Sequence, residues 1–247
     1  MRAPMLAWLL LPACLASPRP IDDQDIDSGL PANTPDVGVP DAGVIIPDGE
    51  IVYRTALSNR SFFSCSTCHA LEEPAEDGLR RPGHPLGSAP RRPSFKNGRL
   101  DTLLEASNVC LTEWMHALEP WFEESPEWIG FSTFLESIAP DEPAPAIVYS
   151  IVAPPEDLAG GDADQGRIVF NETCRVCHGI DATGTDLGPL LKNTGIDAAY
   201  IARRVRTSGP TRSPFYGGLT GGAMPFWSAE RLSDDELRDI IAFLLSP

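Results

Sequence analysis

The pentapeptides Cys65-Ser66-Thr67-Cys68-His69 and Cys174-Arg175-Val176-Cys177-His178 constrain this chain most, because one C-x-x-C-H pattern occurs twice, 109 residues apart. Two cysteines three positions apart share one helical turn, so both can bond along one porphyrin edge while the adjoining histidine turns its imidazole to the iron. A zinc site built from two C-x-x-C pairs places them about 15–20 residues apart, whereas 105 residues separate Cys68 from Cys174. Paired disulfides or redox dithiols leave the two histidines unexplained. The motifs imply two covalently attached haem c groups, one on Cys65 and Cys68 and one on Cys174 and Cys177, with His69 and His178 as iron ligands.

The repeat extends past the motifs. A shift of 109 residues also lays Met115 on Met224, Glu127 on Glu236, Phe134 on Phe243 and Leu135 on Leu244. Ser125-Pro126 reads as a helix start, followed by Trp128, Phe131, Phe134, Leu135 and Ile138 at helical spacing. Ser233 with Glu236 forms a capping box ahead of Leu237, Ile240, Ile241 and Leu244. The fold class expected is all-α, with two tandem helical domains, each around one haem. The boundaries read as an N-terminal haem domain over residues 48–142, a proline-rich linker over 143–158 and a C-terminal domain over 159–247.

From Gly160-Gly161-Asp162-Ala163 to the C-terminus the chain resembles a class I cytochrome c domain. Gly166, Val169 and Phe170 lie on what resembles that family's first helix. Gly188-Pro189-Leu190 resembles the segment whose proline carbonyl accepts the second N–H of the haem-ligand histidine. Gly221-Gly222-Ala223-Met224-Pro225-Phe226 resembles the axial-methionine loop, which implies Met224 as the sixth ligand of the second haem. In the first domain the nearest counterpart of Gly-Pro-Leu is His84-Pro85-Leu86, five residues later relative to its haem histidine. His84 itself is expected at the surface of this loop.

The sixth ligand of the first haem has three candidates, Met115, Cys110 and His116, all within or beside the apolar-periodic stretch from Leu100 to Met115. The repeat selects Met115, which would leave a helix rather than a glycine loop. Asn108-Val109-Cys110 resembles thiosulfate dehydrogenases and related sulfur-oxidising dihaem cytochromes, in which a helix cysteine ligates the catalytic haem. Methionine suits a relatively high potential, whereas a thiolate donates charge and favours ferric iron. Between residues 80 and 99 stand Arg80, Arg81, Arg91, Arg92, Lys96 and Arg99 without an acid among them. Haem propionates, an anionic substrate or plain solvent are their possible counterparts.

Residues 1–13 read as an export signal, with Arg2, an apolar run over Leu6 to Leu11 and Pro12-Ala13. Leu11-Pro12-Ala13-Cys14 resembles a bacterial lipobox, which implies a lipid on Cys14. Residues 14–47 are rich in aspartate and proline and lack Lys and Arg beyond Arg19, the composition of a disordered acidic tether. The net charge of −16 disfavours nucleic acid as a partner, because like charges repel. The expectation is an exported dihaem c-type cytochrome at the periplasmic face of a bacterial membrane, held by its lipid and passing electrons between redox partner proteins. The alternative is a haem enzyme that oxidises a sulfur anion such as thiosulfate, or reduces peroxide, at the first haem.

Overall fold

A computed structural model describes residues 44–56 and 63–247. The export signal, Cys14 and all of the tether except residues 44–47 lie outside the described residues. Those described form an all-α fold with no strand among them. One isolated antiparallel bridge joins Phe95 to Leu100.

The first half opens with α1 (Gly49–Arg54), capped by the Asp48 carboxylate, which accepts from the Glu50 amide at 2.8 Å. The short α2 (Cys65–Cys68) carries the first motif. A 3-10 turn at Ala89–Arg91 precedes α3 (Leu103–Val109), which starts in a capping box between Thr102 and Glu105. At Cys110 the helix widens into a π-helical turn, Cys110–Trp114, a form that concentrates at functional sites. His116, at φ 55°, ends it. Helix α4 (Pro126–Ile138) then packs back across α1. The crossing is tight enough that a Cβ on Gly49 would come 2.0 Å from the Gly130 carbonyl oxygen.

The second half repeats this plan with α5 (Ala163–Thr173), the motif helix α6 (Arg175–His178), α7 (Ala198–Thr207) and α8 (Asp234–Leu245). Helix α5 crosses α8 as α1 crosses α4, and a Cβ on Gly166 would meet the Asp239 carbonyl oxygen at 1.9 Å. Phe170, Leu237, Ile240 and Leu244 fill the core between them. Fully buried Arg206 on α7 organises the approach to α8, donating to the carbonyls of Trp227 and Leu232 and to the Asp234 carboxylate at 2.6 Å.

The connecting segment from residue 139 to 162 has no helix, yet its polar groups are tied down. The Asn97 side chain brackets the Tyr149 backbone, donating to its carbonyl at 3.0 Å and accepting from its amide at 2.9 Å. Tyr149, Tyr216, Trp114 and Phe226 form an aromatic joint in which connector, first half and second half meet. The Arg231 guanidinium, buried in the second half, reaches into the first: it forks onto Glu73 and donates to the carbonyls of Arg81 and Gly83.

Candidate functional site

Each motif opens into its own cavity. In the second half, α5 delivers Cys174 at its C-terminal end and α6 carries Cys177 and His178 into a cavity of about 260 Å³. The His178 Nδ1–H donates to the Pro189 carbonyl at 3.0 Å, which leaves Nε2 as the lone-pair nitrogen facing the cavity. Met224 lines the same cavity, on a loop freed by Gly221 (φ 94°) and Gly222 (φ 125°). The loop is fastened by Arg204, which donates to the Gly221 carbonyl at 2.6 Å and packs where a Cβ on Gly222 would stand. Sequence reasoning did not find Arg204, whose partner is 17 residues away in a loop without regular pattern.

In the first half, Cys65, Cys68 and His69 border a largely apolar cavity of about 200 Å³. The His69 Nδ1–H donates at 2.8 Å to the carbonyl of His84, not to that of Pro85. The element equivalent to Gly188-Pro189 is thus Gly83-His84. Glycine, not proline, is what the two loops share, because a Cβ on Gly83 would lie 2.3 Å from the His69 ring and one on Gly188 3.0 Å from that of His178. Expected at the surface, the His84 ring instead lines the cavity, where its Nε2 is buried without a partner. Burial, aided by the Arg231 and Arg92 cations, pulls His84 down to about 4, so the ring is neutral.

Met115 and Cys110 both border this cavity, and His116 does not line it. Met115 is 6% exposed and packs with Leu111, Trp121, Phe131 and Leu135. Cys110, at the first position of the π-helical turn, stands within hydrogen-bonding reach of the His69 ring and 3.4 Å from the Lys96 ammonium. Burial alone would push its thiol up, but the Lys96 cation and the neighbouring His69 ring outweigh that and bring it to about 6. The motif cysteines go the other way: burial pushes Cys65 up to about 12 and Cys174 up to about 11. Cys110 is therefore the one cysteine among those described whose surroundings favour the thiolate.

The first cavity is not built by the first half alone. Ile147 and Tyr149 of the connector and Tyr216, Pro225 and Phe226 of the second half complete its wall. Pro225 borders both cavities, between Met224 in one and Phe226 in the other. The run of basic side chains divides accordingly: Arg80 pairs with Glu236, Arg81 with Asp77 and Arg91 with Glu136, while Arg92 and Lys96 face the first cavity.

Residues 161–244, about a third of the chain, match the family described as cytochrome c oxidase, cbb3-type, subunit III. A thiosulfate dehydrogenase of Stutzerimonas stutzeri is 26% identical over 195 residues, covering 74% of this chain and 59% of its own length. The chain thus spans about three fifths of that relative. A cytochrome c-553-like protein of Synechocystis sp. is 58% identical over 31 residues, 13% of this chain and 29% of that protein. The solved structure of a thiosulfate dehydrogenase from Marichromatium purpuratum aligns with a TM-score of 0.39 at 20% identity, over 79% of this chain and 44% of the other.

The family match and the likeness to the Stutzerimonas stutzeri protein support a c-type cytochrome. They imply covalently bound haem c and electron transfer as its work. The side chains fit such a group: paired thiols at one edge, an oriented imidazole, a sulfur donor on the same cavity and apolar walls. The cation of Arg92 suits the carboxylates of a haem in the first cavity. No three or more His, Cys, Asp or Glu side chains gather as a bare metal site among the described residues.

Proposed function

We propose that this cytochrome carries two haem c groups of unequal role, bonded to Cys65 and Cys68 and to Cys174 and Cys177. His69 and His178 would each supply an imidazole nitrogen to the iron. Met224 is the second ligand at the C-terminal haem, which serves as an electron-transfer centre. At the N-terminal haem the reading takes Cys110 as the sixth ligand and assigns Met115 to the cavity wall. The observation that carries it is the Cys110 sulfur, bordering the same cavity as His69 with the Lys96 ammonium 3.4 Å from it.

The haems supply one-electron redox chemistry. The chain orients each imidazole through a carbonyl, at Pro189 and at His84, and keeps the porphyrin edge dry with aromatic side chains. Arg92 and Lys96 set positive charge in the first cavity of a protein whose net charge is −16. That charge, with the thiosulfate dehydrogenase likeness, favours oxidation of a sulfur anion such as thiosulfate at the N-terminal haem, with electrons leaving by the C-terminal haem to a redox partner protein. The Leu11-Pro12-Ala13-Cys14 sequence supports work at the periplasmic face of a membrane, anchored by lipid at Cys14. Among the described residues no helix is long and apolar enough to cross a membrane.

The test is a spectroscopic redox titration of holoprotein, wild type beside Cys110→Ala and Met115→Ala. Cys110→Ala should change the low-spin ferric signal and potential of one haem only, and Met115→Ala should leave the ligand signature intact. The reverse pattern overturns the ligand assignment. Thiosulfate should reduce the wild-type C-terminal haem and fail to do so in Cys110→Ala; a wild type left fully oxidised by thiosulfate removes the enzyme reading and leaves an electron carrier.

A further inference from the structure

Lys96 is an unusual cation. It sits in a left-handed run, with Lys96 at φ 50°, Asn97 at φ 59° and Gly98 at φ 75°, a conformation common for glycine, tolerated by asparagine and unusual for lysine. The surroundings are visible: the Phe95–Leu100 bridge pinches the turn, and Asn97 is bound on both sides to the Tyr149 backbone. The turn aims the Lys96 side chain into the first cavity, where it pairs with no carboxylate among the described residues.

Its partners are the Cys110 sulfur, at 3.4 Å, and the Tyr216 hydroxyl, and it stands 5.0 Å from the centre of the Tyr216 ring. Tyr216 is itself buried, edge-on against Trp114 at 5.3 Å. The ammonium is thus clamped between a sulfur of the first half and a phenol 120 residues further along. A lysine ammonium has three donors and no acceptor, so both contacts are donated by Lys96.

We propose that Lys96 is a positioning residue for the N-terminal haem: held by Tyr216, its ammonium hydrogen-bonds the Cys110 sulfur and limits the charge that this sulfur gives to iron. The proposal rests on the reading of Cys110 as the sixth ligand. A hydrogen bond to a ligating sulfur withdraws electron density and favours the reduced metal, so it raises the reduction potential. The half that bears the C-terminal haem thereby tunes the N-terminal one, through Tyr216.

The experiment is a spectroelectrochemical titration of holoprotein carrying Lys96→Met, Lys96→Arg, Tyr216→Phe or Cys110→Ala, with each haem followed by its ferric low-spin signal. Lys96→Met should lower the potential of the N-terminal haem and leave that of the C-terminal haem where it was. Lys96→Arg should recover part of the shift. Tyr216→Phe, which removes one hydroxyl, should shift the same haem in the same direction by less, and it carries the test if Lys96→Met does not accumulate as holoprotein. An unmoved N-terminal potential overturns the proposal, as does an effect of Lys96→Met on substrate KM alone, which would make Lys96 a substrate contact. If Cys110→Ala changes a haem signal while both lysine variants and Tyr216→Phe do not, only this inference falls; if Cys110→Ala changes nothing, the ligand reading beneath it falls too.

Discussion

Gly83→Ala isolates how much the histidine-positioning loop matters, because the cost can be worked from distances. Neither Gly83 nor Gly188 lies in the left-handed region, so an alanine at either position adds no backbone strain, only a methyl group. At Gly83 that methyl would stand 2.3 Å from His69 Cε1, 2.4 Å from Nδ1 and 2.8 Å from the Cys68 carbonyl oxygen. Carbon contacts settle at roughly 3.5 Å or more, so the ring must retreat by roughly 1 Å. A retreat of that size breaks the 2.8 Å bond from Nδ1 to His84. Overpacking at roughly 1–3 kcal/mol and a lost hydrogen bond at about 1 kcal/mol together cost about 2–4 kcal/mol.

At Gly188 the nearest approaches are 2.9 Å to the Cys177 carbonyl oxygen and 3.0 Å to His178 Nδ1. A shift of roughly half an ångström relieves them, for about 1 kcal/mol. Gly217, with nothing within 4 Å of its added Cβ, is the control. Urea denaturation of holoprotein and the ferric low-spin signals give the readout. Gly83→Ala should lower the urea midpoint and displace the signal of one haem, Gly188→Ala should do so weakly, and Gly217→Ala should match wild type. A Gly83→Ala protein with wild-type signals and midpoint, or a Gly188→Ala protein disturbed as much, would refute the reasoning.

Three further outcomes are expected. Arg206→Leu strips the Trp227 and Leu232 carbonyls and Asp234 of their donor, and should cost about 3 kcal/mol in urea denaturation; a loss under about 1 kcal/mol would mean that water replaces the guanidinium. Arg231→Lys keeps the charge but loses the fork onto Glu73 and the bonds to the Arg81 and Gly83 carbonyls, and should cost about 2 kcal/mol and unsettle the His69 haem signal before that of His178. His84 takes up a proton near 6.5 when unfolded and only near about 4 when folded, so the unfolded state binds more protons in that window and stability falls as pH drops through it. His84→Gln should flatten the slope of Tm against pH between those values, and parallel curves would count against the buried neutral imidazole.

Local signals were enough wherever the chemistry is local. Two cysteines and a histidine on one helical turn declare a haem edge, and Ser233 with Glu236 declares the start of α8, because the partners lie within four residues. The Pro189 carbonyl was legible through its resemblance to a known loop. The matching loop in the first half was misaligned by one residue, since the comparison followed proline while the physical requirement is the missing Cβ at Gly83. The repeat favoured Met115, with Cys110 five residues before it as the alternative sulfur donor. The π-helical turn that rotates one relative to the other has no signature in apolar periodicity.

The chain's order alone therefore determined two motifs, an all-helical architecture and a sulfur donor near each histidine. Only the tertiary structure decided that the first cavity is walled by both halves, that His84 faces inward, and that Lys96 meets Cys110 and Tyr216. Helices and motif turns arise from contacts a few residues apart, which sequence spacing records. The contact of Lys96 with a phenol 120 residues away depends on how two finished halves pack, and no spacing records that.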